Sequence, residues 1–550
     1  MRQLYLFLLG FLLLNLIQAG TTNLTGDEAL YWVYSRNPAA GYHDHPPAVA
    51  WIIALGEMLG HGEIFTRLVA AILNFLTLCI IAKLIKIEQW WHYALIVASI
   101  PIAGLYGFIA TPDAPLIFSA ACYLLVWKAF LQLPNRKNAI FLGLTMAMMM
   151  WSKYHGFFII LFTLLPVRKM WFNKWFWMAA TLGVVLFIPH LYWQVTHDFQ
   201  TIKFHLFERN NDRWNIAHIS GYLAGQLMVF NPVIAVLAVI CMTKFKAQND
   251  YDKSMKWLIA GIFGLFLFYS TRGRVEPHWT SFLIIPILYL LFESGTLPFQ
   301  KKWFFNSISI LMISTFMVRA ALIVDFLPTF KKEFFENKRR MNTIHDLAGE
   351  DPVCFINSYQ NPSLYMYYFG SMAHSLNVDD GGKNQYDDWD YADAIDHHPF
   401  LFVADYDAGQ FDSIYLNGFD LRILHLNDFP LMHKLKIIPE ITSFDLHQND
   451  SITWNAMLIN NNHYTVFLPS DTAHLQWLLE VDNKAPNEEN IVVNVTPPPV
   501  NLMPGDTAMV KIKFAAPVQC AVNRKAFIAI RYKDFPPAYQ SGKIELNILP

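Results

Sequence analysis

Apolar runs fill the first 325 residues and then stop. They cover 4–19, 63–84, 91–107, 114–133, 139–152, 154–167, 175–193, 219–242, 257–270, 278–292 and 303–325. A span needs about 20 mostly apolar residues, so the pattern predicts about 11 transmembrane helices, some of them short. The first run, Leu4–Ala19 after Arg2, also fits a signal peptide with cleavage after Ala19. A retained span is the expectation, because the chain that follows is itself polytopic.

Lys and Arg set the expected orientation. With the N-terminus in the cytoplasm, alternate loops carry Lys83 and Lys86, Arg136 and Lys137, Arg168, Lys169 and Lys174, Lys244, Lys246, Lys253 and Lys256, and Lys301 and Lys302. Every inner loop is then basic, and the C-terminus lies outside. Beyond the last run, 331–347 is charged and reads as a helical linker. Short strands such as 353–357 and 400–405, with a helical stretch at 364–368, predict an exported α/β domain over 326–434. Alternating runs at 463–468, 475–481, 491–495, 508–514, 526–532 and 543–548, separated by Pro and Gly, predict an antiparallel β-sandwich over 435–550. Residues 1–325 form the membrane domain in this reading.

Composition agrees with a bundle plus a polar part. Hydrophobic residues make up 54% and charged residues 15%, against about 25% charged in soluble domains. Mean hydropathy is +0.28, low for a bare bundle. Net charge is −2 with no basic stripe, so no nucleic-acid partner is expected. The five cysteines contain no CxxC, which argues against a zinc site or a disulfide framework.

Five polar clusters fall on the outer face in this count. They are Gly26-Asp27-Glu28-Ala29-Leu30-Tyr31-Trp32, Gly41-Tyr42-His43-Asp44-His45-Pro46-Pro47, Thr111-Pro112-Asp113-Ala114-Pro115, Ser152-Lys153-Tyr154-His155-Gly156, and Arg272 to Trp279. Ionisable groups gathered at one membrane surface commonly line a site or pathway. Each cluster also has a plain structural reading. Thr25 and Glu28 fit a capping box. Asp27 suits the first turn of a helix. Thr111-Pro112-Asp113 fits a helix start. Lys153 fits a snorkelling residue, and Arg272 and Arg274 fit lipid-headgroup contacts. The functional reading joins them: a carboxylate as general base on an acceptor hydroxyl, with Arg, Lys and His holding a phosphate as it leaves. Asp44 with a His is an alternative holder of a divalent metal for the same purpose. A lipid-linked phosphate is the substrate class such a surface suits.

The order D-E-A-x-Y-W, Y-x-D-H-P-P, T-P-D-A-P, S-K-Y and R-G-R-V-E-P-x-W resembles bacterial members of the protein-mannosyltransferase-like superfamily. These are GT-C glycosyltransferases of the family 39/83 type, related to the aminoarabinose transferase that modifies lipid A. The resemblance covers about 1–325; Gly382 to Trp389 also resembles a segment of the exported part of such proteins. It implies a mainly α polytopic GT-C fold and an inverting transfer of a sugar from a polyprenyl-phosphate donor. The acceptor would be lipid A, another glycolipid, a surface polymer or a protein, on the periplasmic side of the bacterial inner membrane. Asp27 would be the general base, Glu28 its support or the acceptor's positioner, and Asp113 a second acidic position. Asp44 and His45 stand where the lipid A enzyme has a Glu-Lys pair, associated there with a metal and with the donor phosphate. Here His replaces Lys, so the cation at that spot depends on pH. Lys153, Arg272 and Arg274 are the next phosphate candidates. Glu276 and His278 would orient the arginines, with Tyr42 and His155 in support. A transporter or flippase for a lipid-linked glycan is the alternative; it predicts internal repeats and midplane charges, which the sequence does not display.

Overall fold

The computed structural model describes the chain apart from residues 1, 206–213, 296, 378–382, 390, 392–394, 396–397, 406–410, 428–433, 448–449, 463, 469–474, 482–490, 496–499, 516–521, 533–537, 540, 543 and 550. It divides into two compact units, Met1–Lys338 and Arg339–Pro550.

The first unit is helical. Among the described residues, five helices are long and apolar enough to cross a membrane: Arg2–Thr21, Glu63–Leu84, Asp113–Gln132, Lys174–Thr196 and Lys302–Ala321. Other predicted runs form shorter or interrupted helices. The run at 91–107 is divided into Trp90–Ser99 and Pro101–Leu105, because Pro101 cannot continue the preceding ladder. The run at 219–242, expected as one span, is two helices, Ile216–Phe230 and Pro232–Lys244, bent by 103°. Asn231 makes the corner at φ 61°. Its carboxamide oxygen caps the second helix at the Ile234 amide (2.8 Å), and its Nδ2 donates to the Ser99 carbonyl (3.2 Å). Apolar side chains such as Tyr93, Leu116, Trp127, Leu142, Ile262 and Leu288 form one continuous core.

A low-dielectric interior favours polar groups that are paired. Arg319 donates to the Asn15 carboxamide (2.9 Å) and to the Gly104 and Leu14 carbonyls (3.0 and 3.2 Å). It thereby joins the first and last long helices. Gly143 lets Arg136–Ser152 cross Lys174–Thr196 closely: an added Cβ would stand 2.6 Å from the Ala179 carbonyl oxygen.

The second unit begins as an α/β arrangement. Val353–Ile356 pairs in parallel with Ala373–Leu376 on one side and Phe400–Ala404 on the other. Helix Gln360–Phe369 connects the first two strands. Phe419–Leu426 and Asp412–Leu416 extend the sheet antiparallel. They are joined at Asn417 (φ 53°) and Gly418 (φ 89°), a two-residue hairpin turn whose twist matches the strands. From Leu435 the regular elements among the described residues are strands. Leu435–Pro439, Ser451–Asn460 and Thr507–Ala515 make a three-stranded antiparallel sheet. Leu475–Val481, Ile491–Val495, Val522–Tyr532, Ala538–Tyr539, Ile544–Leu549 and Ser443–His447 make another. Its last pairing, Ile544–Leu549 with Ser443–His447, is parallel. Residues 463 and 543, the starts of two expected strands, and 497–499 lie outside the described residues.

Asp387, in the segment 382–389, accepts from the Asn384 amide (2.8 Å) and the Asn377 carboxamide (2.6 Å). Burial nevertheless raises its carboxyl to about 6, with Asp388 adding to the rise and Asn384 and Lys383 opposing it. Ionised at neutral pH it opposes folding; protonation relieves this. This unit should therefore gain stability, by up to about 3 kcal/mol, as pH falls from above about 6 toward about 4. Hydrogen exchange of the Gln385–Asp388 amides in the full chain, corrected for intrinsic rates, should show the gain. Asp387→Asn should remove it.

Candidate functional site

Helix Gly26–Arg36 opens with the expected capping box: the Thr25 hydroxyl accepts from the Glu28 amide (3.2 Å), and Glu28 accepts from the Thr25 amide (3.2 Å). Glu28 does more than cap. It is fully buried, and Arg67 from helix Glu63–Leu84 grips both its oxygens at 2.7 and 2.6 Å. The Ala110 amide donates to it as well (2.9 Å). Arg67 also binds the carbonyls of Ala19, Thr22 and Asn23, where the C-terminal end of the first helix favours a cation. The Glu28 carboxylate is thus held inside the bundle by Arg67 and two backbone amides. Asp27, one residue earlier, stays half-buried.

Asp113 opens helix Asp113–Gln132, but its carboxylate serves no cap. Lys153, where helix Arg136–Ser152 ends, donates to its two oxygens at 3.1 and 3.0 Å. The pair is buried, so Lys153 does not snorkel. The Ser281 hydroxyl (3.4 Å) and His278 Nε2 (3.7 Å) approach the same carboxylate. Tyr106 stacks on the His278 ring at 5.4 Å. It also lies within electrostatic reach of Asp113, Glu276, Asp27 and Glu333. Tyr106 is thus under the influence of both Asp27 and the Asp113 carboxylate that Lys153 grips.

Asp44 belongs to the same end of the bundle. Tyr34 donates its hydroxyl to Asp44 at 2.6 Å, and His45 Nε2 lies 3.7 Å from the carboxylate. Burial disfavours the charge on Asp44. His45, the Tyr34 hydroxyl, His43 and His205 outweigh it and hold the carboxyl below its usual range. Tyr42 supports this loop: it stacks on Tyr34 at 4.0 Å and donates to the Tyr34 carbonyl (2.8 Å), and burial pushes its phenol up to about 12. Thr201 donates to the Tyr42 carbonyl (2.8 Å) and accepts from Gln194 (2.7 Å), while His190 meets the Ala40 carbonyl at 2.7 Å. These bonds fix the loop to helix Lys174–Thr196. His155 stacks on Phe266 at 5.3 Å, within electrostatic reach of Lys153, His45, His205 and His278.

Arg272 and Arg274 lie apart from the buried pair, on exposed surface. Glu276 orients Arg274 through a 3.1 Å ion pair. Asp44 is the possible metal ligand of the sequence reading. Its Oδ1 is taken by Tyr34, and among the described residues no group of three or more His, Cys, Asp or Glu side chains is arranged to hold an ion. Arg67, Tyr106, His190, His205 and Glu333 went unnoticed in the sequence. For Arg67 a signal existed: an arginine inside a long apolar run is costly unless it is paired.

These features define a multi-pass membrane protein with an ionisable site at one end of the bundle. Residues 44–193 match the family described as dolichyl-phosphate-mannose-protein mannosyltransferase. Over 319 residues the chain is 25% identical to the lipid A galacturonosyltransferase RgtD of Rhizobium johnstonii. That match covers 53% of this chain and 66% of the relative, just under two thirds of its length. The crystal structure of ArnT from Cupriavidus metallidurans in the apo state superposes with a TM-score of 0.58 at 13% identity, covering 76% of this chain and 97% of that one. The structure of the same protein bound to undecaprenyl phosphate gives 0.53 at 14% identity, with the same coverage. The chain therefore has the GT-C fold of the ArnT type.

Proposed function

We propose that this chain transfers a sugar, with inversion, from a polyprenyl-phosphate donor to a lipid acceptor of the glycolipid class. The observation that carries the reading is a half-buried carboxylate, Asp27, and a buried Lys153–Asp113 pair, the two acids both acting on Tyr106 in an apolar bundle. RgtD, by its name a lipid A galacturonosyltransferase, and the ArnT complex with undecaprenyl phosphate support the donor and acceptor classes.

In this reaction Asp27 takes the proton of the acceptor hydroxyl. The oxygen attacks the anomeric carbon from the face opposite the phosphate. The carbon–oxygen bond to phosphate breaks, and its electron pair stays on the phosphate. Lys153 meets that charge, exchanging its bond with Asp113 for one with the phosphate. His45 and His278 border the same place, and Arg272 and Arg274 draw the donor from the exposed rim. Charge-assisted hydrogen bonds contribute about 1.5–3 kcal/mol, so Lys153→Gln should raise the donor concentration for half-maximal rate roughly 10- to 100-fold. A donor titration checks this; an unchanged midpoint removes Lys153 from phosphate binding.

The proposal extends to the setting: about 11 spans in a bacterial inner membrane, the site facing the periplasm, an exported α/β domain over 326–434 and a β-sandwich over 435–550. A polymer or protein acceptor is the wider alternative to a glycolipid. The test is release of free polyprenyl phosphate from native lipid extract by membranes carrying the wild-type chain or Asp27→Asn. Release by wild type alone supports the reading. Equal release from both removes Asp27 as base, and release by neither rejects the transferase.

A further inference from the structure

We propose that Glu333 is the group through which the proton taken up by Asp27 leaves the site; the inference rests on the transferase reading above.

After the last long helix the chain turns through Pro328–Lys331 and a wide π turn, Lys332–Glu336. Such turns insert an extra residue per turn and often occur at functional places. The segment is pinned to the loop that carries Asp27. Asn23 Nδ2 donates to the Phe334 carbonyl at 2.7 Å. Phe334 is buried with Ala19, Phe108 and Leu322. The Gly26 amide donates to the Glu333 carboxylate. Glu333 therefore sits at the first turn of helix Gly26–Arg36, bonded to the residue just before Asp27.

The charged surroundings of Glu333 are uneven. Asp27 and Glu28 lie within its electrostatic reach, and Lys332 is a cation that opposes them. The Glu28 charge is balanced by Arg67; Tyr106 lies close to both Asp27 and Glu333. Partial burial first, and then the charges of Asp27 and Glu28, hold Glu333 above the usual carboxylate range; the Gly26 amide and Lys332 oppose this. The residue as a whole is still exposed to water. Two neighbouring carboxylates resist joint ionisation and tend to share a proton. One of this pair is half-buried and one is open to solvent, so the arrangement has a direction.

Proton balance gives the pair its purpose. Each transfer forms one carbon–oxygen bond to the acceptor and breaks one to phosphate. It leaves one proton on Asp27, which must depart before the next turnover. Transfer from Asp27 to Glu333, and from Glu333 to water, restores the base. Glu333 acts through Asp27 and does not touch the sugar.

Glu333→Gln separates this from an anchoring role. Gln still accepts from the Gly26 amide but cannot carry the proton. In membranes of the full chain, with native lipid extract as donor source and polyprenyl phosphate release as readout, Glu333→Gln should be slowed about tenfold, short of the 10²–10⁴-fold expected for losing a direct base. Glu333→Asp should restore most of the rate. Concentrated formate should speed Glu333→Gln and leave wild type unchanged. In a pH series, the wild-type rate should fall as pH drops through the range where Glu333 gains its proton, and Glu333→Gln should lose that limb. Wild-type rate and pH profile in Glu333→Gln, with Asp27→Asn inactive, overturn the inference and leave the transferase standing. A loss in Glu333→Gln that formate does not relieve marks Glu333 as an anchor and also overturns it. No release by wild type rejects both.

Discussion

Asp27→Asn should abolish release of polyprenyl phosphate while the protein stays folded and at wild-type abundance. A positioned general base contributes typically 10²–10⁴-fold, so the loss should be at least about a hundredfold. Asn has nearly the shape of Asp and cannot take the acceptor proton. Its cost to stability is small. Asp27 lies in the first turn of helix Gly26–Arg36, where an acid contributes only about 0.3–1 kcal/mol, and the cap itself belongs to Thr25 and Glu28. Abundance, monodispersity in detergent and release are read on one preparation. Normal release would remove Asp27 from the chemistry. Lost release with lost protein would move it to structure, and Asp27→Glu would then be the control.

Glu28→Ala should fail in the opposite way, by losing the protein. The carboxylate and the Arg67 guanidinium are both 0% exposed. Removing one partner leaves an uncompensated buried charge, which costs about 3–5 kcal/mol. That is a large share of the roughly 5–15 kcal/mol that holds a domain folded. Arg67→Ala should be as damaging, since it also strands the carbonyls of Ala19, Thr22 and Asn23. Glu28→Ala combined with Arg67→Met should recover part of the loss, because the two residues couple. Thermal unfolding in detergent measures each. Wild-type stability in Glu28→Ala with lost activity would contradict a positioning role and return Glu28 to the acceptor.

The site was only partly readable along the chain. Thr25 and Glu28 announced a helix start three residues apart, and the structure has that cap. Asp113 and Lys153 were both picked out, but as separate motifs; their bond joins residues 40 positions apart. Along the chain Glu28 reads as a possible actor because its partner, Arg67, stands 39 positions away in an apolar run. Glu333 had no motif at all; its place beside Asp27 comes from a chain return of some 300 residues, marked by the Asn23–Phe334 bond. Asn231-Pro232 and Asn417-Gly418 are short local signals for a corner and a hairpin. The first was hidden inside an apolar run that reads as a continuous span.

The division has a physical cause. Apolar runs, caps and alternating strands arise from interactions within a few residues, so sequence alone determined that this is a helical membrane protein with a strand-rich remainder. It also determined that acids, histidines and arginines gather in particular loops, because in an apolar chain such residues stand out one by one. Which acid is spent on an arginine, which meets a lysine and which stays half open to water depends on contacts between distant helices. Burial then decides their chemistry, since a fully buried carboxylate gripped by an arginine is held in place, whereas a half-buried one still reaches solvent or substrate. Only the tertiary structure separated Glu28 from Asp27, one residue apart.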